Sequence, residues 1–264
     1  MMDTAEFIER VGRGECDFSG RDLKGVNLAR WMREGGPDWY SLEGVNLTGA
    51  DMAGADLRRI IFQDAKLCGV CLRGADLRYA TFRGVDFSHA DLRGARLGGV
   101  ILKGESLVRA DLSLAEAVRA TLSGADLSEA KLHRTDLTGA ELNYANLSDA
   151  ELFMTGLAGA SLEEARLEGA RLYGADLTGA HMVSANLRGA RLGRAVLIEA
   201  YMPKADLTGA ALYRADLTGA DLTGADLSGA RLQGACLIDA NLAGANLEGC
   251  LLRGAVMPDG ATHD

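Results

Sequence analysis

The sequence predicts an all-β solenoid, a chain wound into stacked coils of very short strands. Three observations predict it. Stepping by five from Leu42 to Met257 visits 44 positions, of which 36 are Leu, four Met (Met52, Met182, Met202, Met257), three Phe (Phe62, Phe82, Phe87) and one Ala117. Two residues earlier, Ala fills 34 of the 44. A period of five is neither helical nor that of a plain strand, but a large apolar, a polar and a small apolar residue in succession is local strand alternation, with Leu and Ala on one side. Composition agrees: 48% of the 264 residues are hydrophobic and only 5% aromatic, with 34 Gly and 3 Pro, so the core is aliphatic and the chain turns often.

The elements follow in order. Residues 1–16 read as an N-terminal helical cap, in which Phe7, Ile8 and Val11 share one face of a short helix from Thr4 to Val11. Residues 17–41 hold three units centred on Phe18, Leu23 and Leu28, one residue out of phase with the rest, and then an aromatic loop, 29–41, with both tryptophans and a Gly-Gly-Pro turn signal. That loop is expected to fold against the first coils, and partner binding is its alternative role. Residues 42–257 form the uninterrupted array, and 258–264 a short tail. So short a tail, beside apolar Leu251, Leu252 and Val256, suggests a homodimer joined through the C-terminal coils.

The last two residues of each unit, typically Thr-Gly or Ser-Gly, must turn the chain. Gly holds the final corner position in 24 of 43 units from Gly44 to Gly254, and Arg, Glu, Asp or Tyr stands at many others. Positive φ is therefore expected at only some corners, with mixed turn types. No strand this short buries its face alone, so successive sides must pair with the coils above and below.

The units A-[DN]-L-x-x, unbroken from Val45 to Val256, resemble the pentapeptide-repeat family over more than four-fifths of the chain. The resemblance implies a right-handed quadrilateral β-helix, four units per coil, with Leu and Ala inward and the other three positions outward. Phe62, Phe82, Met182 and Met202 fall on one side under the implied 20-residue period. About 11 regular coils at a ~4.8 Å spacing make a rod of roughly 50 Å.

Chemistry is sparse. The Asp residues belong to the repeat itself and read as turn-bonding groups, and glycines five apart mark corners rather than a phosphate loop. No nucleophile, base and orienting group stand out, so no enzyme and no cofactor are expected. Cys68 and Cys71 form a CxxC with Asp91 and His89 one coil on, the donor types of a zinc site; without a second CxxC the set reads as coincidence. Glu105 stands at an Ala position and Ala117 at a Leu position, with Val108, Leu114 and Val118 where outward residues belong; this irregular patch reads as a bulge or as an apolar contact surface. Five cysteines at irregular spacing argue against a disulfide framework. With neither a membrane-length apolar run nor a signal-peptide pattern at the start, a cytoplasmic location is expected.

Function must then lie on the outer faces. The formal charge is -9, which disfavours general nucleic-acid binding. The side carrying Met52, Leu72 and Leu92 is nevertheless net +6, from Arg73, Arg93, Lys131, Arg134, Arg171, Arg191, Arg194, Arg214, Arg231 and Arg253 against four acids. His133, Phe153, Tyr173 and Tyr213 share a column on it. Arg and aromatic residues favour contact sites, so the expectation is a protein-interaction scaffold with an unidentified protein partner. The alternative comes from the family, some of whose members are DNA mimics acting on gyrase and related topoisomerases. Against it, the most acidic side reaches only -4, that of Leu47, Leu67 and Phe87, whereas ~50 Å of B-DNA bears roughly 30 charges.

Overall fold

The computed structural model describes residues 1–33 and 41–264. One unit, Ala220 to Gly224, shows why the repeat is five residues long. The Ala220 N–H closes a turn on the Leu217 carbonyl (3.0 Å), the Asp221 N–H reaches back one coil to Ala200 (2.9 Å), and the Leu222 and Gly224 N–H groups reach forward to Asn241 (2.8 Å) and Ala243 (2.9 Å). That leaves the Thr223 N–H, which the Asp221 carboxylate accepts at 2.9 Å. Buried backbone donors must be paired, and five residues are what pairs all of them.

Repeated, this pattern gives a parallel β-helix with a four-sided, 20-residue coil. Residues bridge in parallel to those 20 further on, as in Asp51 to Cys71 to Asp91 and Asp56 to Asp76 to Arg96. The faces are numbered here I to IV, carrying Leu42, Leu47, Met52 and Leu57 and their successors. Leu and Ala positions line a continuous interior, most of them fully buried. Among the described residues no helix is long and apolar enough to cross a membrane.

One local expectation is corrected. All 43 corner positions from Gly44 to Gly254 have positive φ, including 19 that are not glycine, such as Arg59, Tyr79, Glu129 and Asp239. A left-handed L-residue costs roughly 1–2 kcal/mol, but only that conformation both turns the chain and sends the corner N–H to the next coil. The turns are mixed: in most units the Ala-position N–H closes on the Leu-position carbonyl, as Ala50 does on Leu47, but no such backbone bond follows Leu42, Phe62 or Phe82. On face I, β1 (Ser41–Glu43), β2 (Ile61–Gln63) and β3 (Thr81–Arg83) pair in parallel with Leu42, Phe62 and Phe82 in register. Elsewhere a single residue bridges on each side.

Where face I changes from one turn type to the other, the Gly84 N–H has no ladder acceptor and the Val85 N–H no turn-closing carbonyl. The Glu105 carboxylate takes their place, accepting from both N–H groups at 3.1 and 2.6 Å. This explains a carboxylate at a buried Ala position.

At the N-terminus α1 (Thr4–Gly12) closes the coil, capped by Asp3, whose side chain accepts the Glu6 N–H at 2.8 Å. Phe7 lies fully buried against Phe18, 4.8 Å between ring centres. Asp17, Asp22 and Asn27 bridge residues 29 positions later, so this coil is nine residues longer than the rest. The excess starts with α2 (Leu28–Arg33), tied in where the Asn27 side chain accepts the Arg30 N–H at 2.7 Å. The expected loop 29–41 thus begins as helix; its remainder, 34–40, lies outside the described residues. At the other end the tail folds back antiparallel, Val256 to Thr262, and covers one side of the last coil.

Candidate interaction faces

Every outward side chain belongs to one of four flat ladders, so a surface is built by stacking alone. On face III the stack divides into two halves of different character. In the N-terminal half the charges cancel locally: Asp91 accepts from Arg93 at 2.6 Å and from Arg73 at 2.9 Å. The Arg93 guanidinium, and after it Arg73, holds the Asp91 carboxyl well below the usual carboxylate range, against the opposing effect of partial burial. Lys24 similarly pairs with Asp51 at 3.2 Å.

In the C-terminal half, Glu151 is the last outward acid. It takes Arg171 at 3.1 Å and His133 at 2.8 Å. Beyond it Arg191, Arg194, Arg214 and Arg231 are exposed, and among the described residues none has an ion-pair partner. Arg171 and Arg191 are ladder neighbours. Lys131 and Arg134 extend the basic surface downward.

The aromatic column is two pairs rather than one stack. His133 lies 5.2 Å from Phe153, and Tyr173 lies 6.3 Å from Tyr213 although two coils separate them. Gly193 makes the second pair possible, because a side chain there would collide with the Tyr213 ring. The Arg194 guanidinium lies over Tyr173 at 5.9 Å. The sequence marks Gly193 only as a vacancy at an outward position.

The irregular segment does not assemble into one patch. Glu105 and Ala117 are buried, while Leu114, Val118 and Val108 lie on faces III, IV and II respectively. Nor do Cys68, Cys71, His89 and Asp91 form a ligand set. Both thiols are half-buried and free, Asp91 is held by arginines, and among the described residues no three His, Cys, Asp or Glu side chains are placed to hold a metal.

Comparison with known proteins matches the same units. The pentapeptide-repeat model matches eight times, over residues 41–78, 70–104, 90–128, 118–152, 157–194, 180–219, 190–229 and 235–258. No curated protein matches the chain. Among solved structures it is similar to HetL, a pentapeptide repeat protein involved in heterocyst differentiation regulation from the cyanobacterium Nostoc sp. strain PCC 7120. The identity is 33% over 100% of both chains, with a TM-score of 0.36. A pentapeptide repeat protein of the Arabidopsis thaliana thylakoid lumen is 27% identical, covering 47% of this chain and 70% of its own, with a TM-score of 0.20. QnrB1, a plasmid-mediated fluoroquinolone resistance protein, is 18% identical over 66% of this chain and 82% of its own, with a TM-score of 0.34. With the five-residue unit, its closed hydrogen-bond accounting and eight family matches in agreement, the chain belongs to the pentapeptide-repeat family.

Proposed function

We propose that this protein is a non-catalytic interaction scaffold of the cytoplasm, a right-handed rod of about eleven regular coils that binds a protein partner through face III. The observation that carries this reading is the run of arginines from Arg171 to Arg231, beside Tyr173 and Tyr213, without an outward acid among them. Charged side chains left unpaired on a rigid flat face favour recognition, since little ordering entropy remains to be lost on docking. The non-catalytic reading rests on the repeat's acids: Asp126, Asp176, Asp216 and Asp226 each accept a backbone N–H two residues on, as part of the fold. Capture of a partner by the wild-type rod, lost on reversing Arg171, Arg191 and Arg194 to Glu, is the expected result; capture unchanged by the reversal removes the reading.

The gyrase-directed alternative predicts a different outcome. Supercoiling by purified gyrase, with and without a quinolone, should be unaffected by this protein; inhibition or drug protection at low micromolar concentration would replace the scaffold by the mimic.

We also propose that two copies join end to end through the last coil. Among the described residues the Leu242, Leu247 and Leu252 N–H groups have no backbone acceptor, and these leucines are only half-buried. Unpaired strand edges invite pairing with another chain. In about 1 M salt, where contacts between exposed charges are screened, sedimentation should give twice the 27.8 kDa chain mass, and a monomer overturns the idea.

A further inference from the structure

Summed over successive stretches of the rod, the charge on face III is matched by opposite charge on the next face. In the coils from 171 to 239, face III carries five arginines, Arg171, Arg191, Arg194, Arg214 and Arg231, and no acid; face IV carries Asp176, Glu199, Asp216 and Asp239, and no base. In the coils from 51 to 119 both signs reverse. Face III there sums to -1, and face IV, with Arg58, Arg59, Arg78, Arg96 and Arg119 against three acids, sums to +2. The coils between, 131 to 159, give +1 on face III and -1 on face IV.

We infer that face III docks on face IV of a second copy of this chain, side by side, parallel and at the same height. The inference rests on face III being an interaction surface and names its partner. Both surfaces repeat at the same ~4.8 Å strand spacing, so two rods at equal height keep every level in register. An antiparallel contact of face III with itself would set the five arginines against the -1 level and gain little. The unpaired charges are those the contact needs: Arg191, Arg194 and Arg214 on one face, and Glu199 and Asp239 on the other, make no ion pair among the described residues. Apolar side chains lie between them, Tyr173 and Tyr213 on face III and Val196, Ile198 and Ile238 on face IV, each half-buried or exposed.

The contact is heterologous, and such contacts form rings when the rotation closes. Successive faces of a four-sided coil lie roughly a quarter turn apart. Four rods sharing their III–IV corner on a common axis therefore close with both faces of every rod covered.

The test is mass by light scattering at about 50 mM and about 1 M salt, the second screening exposed charge to a ~3 Å Debye length. The expected result is a fourfold mass difference between the two salts, whatever end-to-end state persists. Reversing Arg171, Arg191, Arg194 and Arg214 to Glu should remove the fourfold increase, as should changing Asp176, Glu199 and Asp239 to Lys. Mixing the two variants should restore it, since each then offers the other a complementary face; a misfolded variant cannot be rescued so. A mass independent of salt, a salt-dependent doubling, or failure of the mixture overturns the ring. If the ring fails while the reversed rod loses capture of another protein, the scaffold reading stands; if capture is also unchanged, both fall.

Discussion

At the scale of single residues, this protein shows how little freedom a repeat leaves and where departures need compensation. Glu105 replaces the inward Ala because the change of turn type on face I strands two N–H groups. Glu105→Ala leaves the buried Val85 N–H without an acceptor, a loss of about 1–3 kcal/mol, and Glu105→Gln, which keeps one carbonyl oxygen, should lose less; urea unfolding separates them. Thr135 and Thr155 depart at the same position harmlessly, each hydroxyl donating to a leucine carbonyl of the preceding coil at 2.8 and 2.6 Å. Asp91 gives a pH signature. Its carboxyl is held below the usual range by Arg93 and then Arg73, so its contribution is present above the unfolded carboxylate value of about 3.9 and lost as pH falls through the lower folded value. The stability gap between wild type and Asp91→Asn should therefore be constant from neutral pH to about pH 5 and close below about pH 4. A gap that widens on acidification would contradict this assignment.

At the scale of the element, the single coil is the unit of stability, since each contacts only its neighbours. A leucine in mid-rod has a complete coil on both sides, whereas one in the last coil does not. Leu162→Ala should cost about 2–5 kcal/mol, in the usual range for an emptied core site. Leu247→Ala, at a site half-buried in the single chain, should cost clearly less at dilutions where the chain is monomeric and approach the Leu162→Ala loss where the end-to-end pair forms; a loss that stays small at every concentration in denaturant melts counts against that pair. The N-terminal end is closed differently, by a helix that brings its own aromatic plug. Phe7 against Phe18 fills the coil mouth, and the Met2 N–H donates to the Asp22 carbonyl at 2.8 Å.

At the scale of the whole molecule, a rod with four flat faces presents chemistry only as pattern: which charges stack, over which levels, and beside which neighbours. Cys250 reports on one end of that rod. Its thiol donates to the Leu227 carbonyl at 3.0 Å, and burial pushes its pKa up. Alkylation at mildly alkaline pH should modify the exposed Cys16 well before Cys250. Comparable rates, read by mass spectrometry of the digested protein, would show the last coil to be open and fraying.

The sequence by itself determined the solenoid, its inward Leu and Ala, its family and the face on which each charge stands. All of these follow from a register of five that never slips between Leu42 and Met257. The corners were misjudged because residue type is a poor guide to φ where the ladder dictates it: Arg59 and Gly54 turn in the same left-handed conformation, since each must send its N–H to the next coil. The roles of Glu105 and Gly193 were also hidden, because each depends on a group some 20 residues away, the Val85 N–H in one case and the Tyr213 ring in the other. Only the tertiary structure decided which arginines of face III are neutralised by a neighbour and which are free. That choice is made by distance across stacked coils, where one acid such as Asp91 satisfies two arginines and, five coils further on, Arg191 has none within reach among the described residues.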